Sequence, residues 1–183
     1  MFKQGIGQNF HWAKSIWSPE IPPSKSLVVW RLMHNKLPSD ENLLFRGCYF
    51  PSMCSVCKSC SETTYHLFFE CAFALNLWAW FGSILNSSIQ INSMDDIGII
   101  MNKNWSPQCK VVIKACFINI LNVIWFNRNQ SRFQDKFLGW RPAINLIIAK
   151  VSLSGNNTIK SSSISMQEFS ILKACNVSVK PPR

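Results

Sequence analysis

The residues with the clearest chemistry lie between positions 54 and 71. Cys54-Ser55-Val56-Cys57 is a Cys-x2-Cys knuckle, a spacing that can bring two thiolates to about 2.3 Å from one zinc ion. His66 and Cys71 follow, completing Cys-x2-Cys-x8-His-x4-Cys. Four such donors fill a tetrahedral shell and leave no open water position, which argues a structural ion over a catalytic one. With Zn²⁺ and three thiolates the site carries a charge of about −1. His66 and Cys71 are separated by about a turn and a half of helix, so a helix carrying both must break or tighten near Glu70. Leu67, Phe68 and Phe69 between them supply an apolar shell that dries the site.

Two other readings of the cysteines stand beside this one. They could be unligated thiols of a Cys-rich chain, eight in all. Cys54, Cys57 and Cys60 also form Cys-x2-Cys-x2-Cys, which suggests an iron–sulfur cluster, but the fourth Cys of that motif should follow closely with Pro. Cys71 lies well beyond that spacing, so Cys60 reads as a bystander or as a substitute for a lost ligand. Cys48, Cys109, Cys116 and Cys175 have no partner spacing and read as buried free thiols.

The chain has 183 residues, 48% hydrophobic and 15% charged, which excludes a disordered tail and suits one domain or one with a small appendage. Its formal charge of +10 favours an anionic partner. The charge is uneven: residues 1–72 carry seven Lys/Arg and five acids, 73–140 six and three, 141–183 six and one. Lys103, Lys110, Lys114, Arg128, Arg132, Lys136 and Arg141, interspersed with Trp105, Trp125 and Trp140, have the composition that single-stranded nucleic acid favours. The tryptophans themselves read better as core. Lys25, Lys36, Arg46 and Lys58 form a second contact set around the cysteines. RNA or single-stranded DNA is the expected partner.

The N-terminus has no apolar h-region, and Val111 to Phe126 is interrupted by polar residues and shorter than the ~20 residues of a bilayer span. The expected setting is intracellular, nuclear or cytoplasmic, with no membrane. Clustered Cys in such a reducing compartment favour metal over disulfides. No enzyme chemistry is expected. Asp95-Asp96 would need a hairpin and a third Asp to hold two metals, and following Ser93 they read as acids in the first turn of a helix. There is no nucleophile elbow and no phosphate-cradling Gly-rich loop. His11 and His34 have no evident acid or nucleophile partner. No small-molecule substrate is implied.

The elements that must position these residues are mainly α. After an extended approach over residues 11–23, Ser24 is expected to cap a helix to His34, with Leu27, Trp30 and Met33 or His34 on its inner face. Ser39 caps a short helix with Asp40 and Glu41 in its first turn and Gly47 at its end. Ala72 to Leu85 reads as a helix with Leu75, Trp78 and Phe81 or Leu85 inward. Ser106-Pro107 opens a long helix to about Ser131, apolar nearly all round and hence central. Trp140 starts another helix that Gly155-Asn156-Asn157 ends near Leu153. A last helix lies near Met166–Cys175, and Asn176 to Arg183 reads as a linker. The expected architecture is a small zinc-stabilised helical module (1–90), a helical region with one long central helix (91–155), and a Ser-rich segment and linker (156–183).

An ordered string of residues carries a resemblance to a known family: Trp17, Pro22-Pro23, Lys25, Trp30-Arg31-Leu32, His34-Asn35-Lys36-Leu37-Pro38, Asn42-Leu43, Arg46-Gly47, Cys54-x2-Cys57, Glu62, His66-Leu67-Phe68, Cys71 and Trp78. Over about residues 11–81 the chain resembles the zinc-binding domain of plant LINE-type (non-LTR) retrotransposon reverse transcriptases. It departs at Val28, often aromatic there, and at Ala72, often Pro. The resemblance implies that Cys54, Cys57, His66 and Cys71 bind Zn²⁺. It also implies a place between polymerase and ribonuclease H domains of a polyprotein, with Ile124–Asn129 and Val179–Arg183 leading towards the latter. The expected role is non-catalytic help in nucleic-acid binding, and the distribution of basic residues makes Lys25, Lys36, Arg46, Lys58, Lys110, Lys114, Arg128 and Arg132 the candidate contacts. The other expectation is a spacer that docks polymerase against ribonuclease H.

Overall fold

The computed structural model describes residues 16–49, 52–86, 90–163 and 165–182. His11 and the first part of the approach segment fall outside them. Among the described residues every regular element is helical, and one long helix organises the rest.

That helix, α5 (Pro107–Gln134), begins where local chemistry dictates. The Ser106 side chain accepts from the Cys109 N–H, and Pro107 occupies the first position, where its missing N–H costs nothing. Its residues are buried on all sides, from Val111 through Phe117 to Ile124. An 18-residue window of α5 has a mean hydropathy of 1.7, so among the described residues it is the one helix long and apolar enough to cross a membrane. Its residues are instead 72% buried inside the protein. The apolar stretch Val111 to Phe126 is only part of this helix, which has 28 residues.

Helix α6 (Trp140–Asn157) returns antiparallel along α5. Asn127 brackets Leu138 at one end, and the Gln108 side chain donates to the Gly155 carbonyl at the other. The helix runs past the expected stop, because Gly155 is a packing residue inside it. A Cβ there would lie 2.6–2.9 Å from methyls of Val177 and Val112, so only a glycine lets the segments approach this closely.

Helix α1 (Pro23–Met33) crosses α5. Its buried face is Ser26, Val29 and Leu32, while Leu27 and Trp30 are exposed. The expected face is therefore wrong by about one residue, and Ser24 is not the cap; Pro23 sits in the first turn instead. Ser26 is buried because its hydroxyl donates to the Ile16 carbonyl. Two caps behave as expected, Ser39 on α2 (Asp40–Leu44) and Ser93 on α4 (Met94–Met101). Around Ser93, Asp96 accepts from the Ser93 hydroxyl and the Asn92 N–H. Asp95 and Asp96 thus serve a helix start.

Helix α3 (Ala72–Ile84) turns Phe73, Ala74, Leu77, Trp78 and Phe81 inward and leaves Leu75 exposed. After α7 (Met166–Ala174) the chain does not trail away as a linker. Val177 is buried, Gln108 bonds Ser178 and Lys180, and the Ser162 N–H donates to the Lys180 carbonyl. One apolar cluster extends from Ile16 to Val177.

Candidate metal centre

The knuckle is a tight loop closed by its own backbone. Lys58 N–H donates to the Cys54 carbonyl and Cys54 N–H to the Cys60 carbonyl, each at 2.8 Å, with Lys58 in the left-handed region at φ 54°. Helix α5 holds the loop from outside: Ser131 donates to the Ser55 carbonyl at 2.7 Å and Ser55 to the Arg128 carbonyl. The other two donors come from a π-helical turn, His66–Glu70, which breaks at Cys71. The helix widens there where tightening was one expectation, and the Cys71 N–H reaches back to the His66 carbonyl at 2.7 Å. A π turn at a functional position is a common way to re-aim a side chain. Trp78 then bonds the Phe68 carbonyl at 2.7 Å, satisfying a buried acceptor beside the widened turn.

These elements bring Cys54, Cys57, His66 and Cys71 together, one donor atom from each lying within 4.8 Å of the others. Bonds of about 2.3 Å to a tetrahedral zinc place sulfurs roughly 3.8 Å apart, so the set fits such an ion. Cys57 Sγ is 3.3 Å from His66 Nε2. The other ring nitrogen, Nδ1, faces Glu70 at 3.9 Å, the side from which a carboxylate orients a ligating histidine. A hydrogen bond between Cys54 and Cys71 holds the Cys71 thiol below its ordinary pKa; that bond, with burial, pushes Cys54 up. Leu67, Phe68 and Phe69 are buried behind the site. Cys60 and Cys48 are exposed, so Cys48 is not the buried thiol expected. Cys109, Cys116 and Cys175 are buried, with Cys116 and Cys175 sulfurs 3.6 Å apart.

A buried ionic cluster supports the centre, and the sequence did not announce it. Arg128 is 1% exposed. Its guanidinium bonds both Glu62 oxygens at 2.6–3.1 Å and Asp40 Oδ1 at 2.8 Å, and Arg132 takes Asp40 Oδ2 at 2.7 Å. Glu62 also accepts from the Asp40 N–H, while Thr64 bonds Ser39 and Glu41. Arg128 is therefore an internal ion, a correction to its expected place among the nucleic-acid contacts. Glu62 in the motif string and an arginine beside the apolar run Val111 to Phe126 were the available signals.

The remaining basic residues are scattered. Lys36, Arg46, Lys58 and Lys110 are exposed; Lys25 and Lys114 are half-buried. Trp105 is buried and bonds the Ile100 carbonyl, Trp125 lies under Arg128, and Trp140 is partly exposed beside Arg141.

Fold and site together define a mainly helical protein with one long central helix and a Cys3His cluster that could hold a metal ion. Its residues 1–78 match the family described as zinc-binding in reverse transcriptase, an accessory metal-binding domain and not a catalytic one. No curated protein and no solved structure matches the chain.

Proposed function

We propose that this chain is a non-catalytic Zn²⁺-binding piece of a retrotransposon reverse transcriptase/ribonuclease H polyprotein, of the LINE type, working in a reducing nuclear or cytoplasmic setting. Its role in this reading is to hold template RNA or single-stranded complementary DNA through phosphate contacts. The observation that carries the reading is the closed Cys3His set on a stretch that matches a reverse-transcriptase family. Cys54, Cys57, His66 and Cys71 would hold the ion, which supplies folding free energy and no reacting water. The chain's own part is to keep the loop dry with Leu67, Phe68 and Phe69 and anchored through Glu62 and Arg128.

The test has two readouts. X-ray absorption on the purified protein should show one zinc with three sulfur and one nitrogen neighbours, and a water in the shell refutes a structural site. The zinc-loaded protein should bind single-stranded RNA at low salt and release it steeply as salt rises. Absence of binding refutes the nucleic-acid role.

A second reading is favoured by one surface. Leu44, Phe45, Tyr49 and Met53, just before the knuckle, are 50–85% exposed, more apolar surface than a solvated face needs. The charge of residues 1–72 is also nearly balanced. A spacer docking polymerase against ribonuclease H would use such a face. In this reading the chain touches no nucleic acid, and Phe45→Ser with Tyr49→Ser would abolish co-purification with either neighbour.

A further inference from the structure

Away from the cysteines, four lysines from four parts of the chain meet where α1, α5 and α6 come together. Lys25 of α1 donates from Nζ to Asn119 Oδ1 of α5 at 2.5 Å, and the Lys25 carbonyl accepts from Asn122 at 2.9 Å. Lys114 lies on α5 just before Asn119, and Lys150 lies one turn before Ser154 on α6. Ser154 ties this face down, donating to the Glu20 carbonyl at 2.8 Å. Lys160, in the segment after α6, pairs with the Glu20 carboxylate at 2.9 Å, which also accepts from Thr158. Lys180 is nearby, but its Nζ is engaged by the carbonyls of Asn156 and Thr158.

The Glu20 carboxylate meets this group through Lys160 and Lys114. Among the described residues Lys114 and Lys150 have no ion-pair partner. Lys25, Lys114 and Lys150 are half-buried. Half-burial of like charges raises the energy of each, because solvent screens them less and they repel. Burial, then the charge of Lys150, pushes the Lys25 ammonium down to about 8. Burial, then Lys160, lowers Lys114. Lysines on a solvated rim move freely; here Asn119 fixes the Lys25 ammonium and Glu20 that of Lys160, while Ser154 ties α6 to the Glu20 backbone. Four ammonium groups share the single paired carboxylate of Glu20, and an anion that bridges several of them would offset the excess positive charge.

We propose that this seam, formed by Lys25, Lys114, Lys150 and Lys160, is a phosphodiester-binding site and the place where single-stranded nucleic acid contacts the protein. This rests on the nucleic-acid reading above and deepens it, moving the main contact away from the zinc loop and adding Lys150 and Lys160. A flexible single strand can present successive phosphates to lysines on separate elements, and each neutralised phosphate releases counterions.

The experiment is fluorescence anisotropy of a labelled single-stranded RNA of about 20 nucleotides with the zinc-loaded full chain, titrated with salt. Lys114→Gln with Lys150→Gln should weaken binding about tenfold or more at low salt and reduce the slope of log K against log salt by roughly 1.4, at about 0.7 per lost phosphate contact. Lys36→Gln with Lys58→Gln beside the zinc loop should change both far less. Lys150→Gln alone, polar and on a half-exposed face, should give about half the slope change and guards against a double variant that fails to fold. Wild-type affinity and slope in both seam variants would overturn the seam and leave the nucleic-acid role standing. No RNA binding by the wild-type chain would overturn both. Displacement of RNA by millimolar inorganic phosphate, beyond its ionic-strength effect, would reassign the seam to free phosphate and overturn the phosphodiester assignment.

Discussion

Arg128→Met tests whether the metal loop is held by the interior of α5. Arg128 is surrounded by the carboxylates of Glu62 and Asp40, whose side chains are 0% exposed. Methionine keeps the volume and most of the contacts, so the effect isolates the charge. Glu62 loses its only ion-pair partner among the described residues, whereas Asp40 keeps Arg132 at 2.7 Å. Breaking one side of a buried pair costs about 3–5 kcal/mol, because the remaining charge is left uncompensated. For a protein of this size that is about 6–20 °C in melting temperature, and a large part of a typical total of about 5–15 kcal/mol. The assay is thermal and urea unfolding of the zinc-loaded protein, in a cycle with Glu62→Leu and the double variant. The double variant should recover much of the loss, since an apolar pair has no stranded charge. A loss in Arg128→Met of less than about 1 kcal/mol, or no recovery in the double variant, would refute the reasoning.

Three further outcomes follow from the same contacts. With zinc bound, only Cys48 and Cys60 should react quickly with iodoacetamide, as the other thiols are buried or in the metal centre; chelation should add Cys54, Cys57 and Cys71 and lower the melting temperature, read by mass spectrometry and calorimetry. Gly155→Ala should cost about 1–3 kcal/mol by overpacking against Val177 and Val112, and an unchanged urea midpoint would show that the helices part freely. Lys25 titrates near 8 in the fold and near 10.4 unfolded, so the unfolded chain binds the extra proton between those values and stability should rise with pH across that window. NMR titration of the Lys25 Cε–Nζ group checks the lower value, and Lys150→Gln should move it upward.

The helix starts at Ser39, Ser93 and Ser106 were readable because a cap is local chemistry, a hydroxyl against an N–H three residues on. Ser24 shows the limit: Pro23 nearby was the better start, and both are plausible without the chain before them. The central place of α5 followed from apolar residues on all its sides. The inward face of α1 did not, because Leu27 and Trp30 look more apolar than Ser26, whose burial depends on the distant Ile16 carbonyl. Gly155 read as a stop because sequence carries no trace of Val177 lying across it. At the candidate metal centre the four residues that come together were legible from spacing, but the widened turn that aims them appeared only as a need for irregularity near Glu70. Arg128 looked like any basic residue, since its partners lie 66 and 88 positions away.

That separation has a consequence in time. The four ligands span a short local stretch, so closing their loop is entropically cheap and can happen early. The ions that anchor it, Arg128 and Arg132, are synthesised later by the sixty-odd residues after Cys71. At about 5–20 residues per second this is a delay of roughly 3–12 s. In that interval Glu62 and Asp40 lack the arginines that pair with them in the fold, and a metal held by the four residues would constrain the loop before they arrive. Ribosome-bound chains arrested shortly after Cys71 has left the exit tunnel should therefore already retain zinc, while protection of the loop from protease should arrive only once Arg132 has emerged.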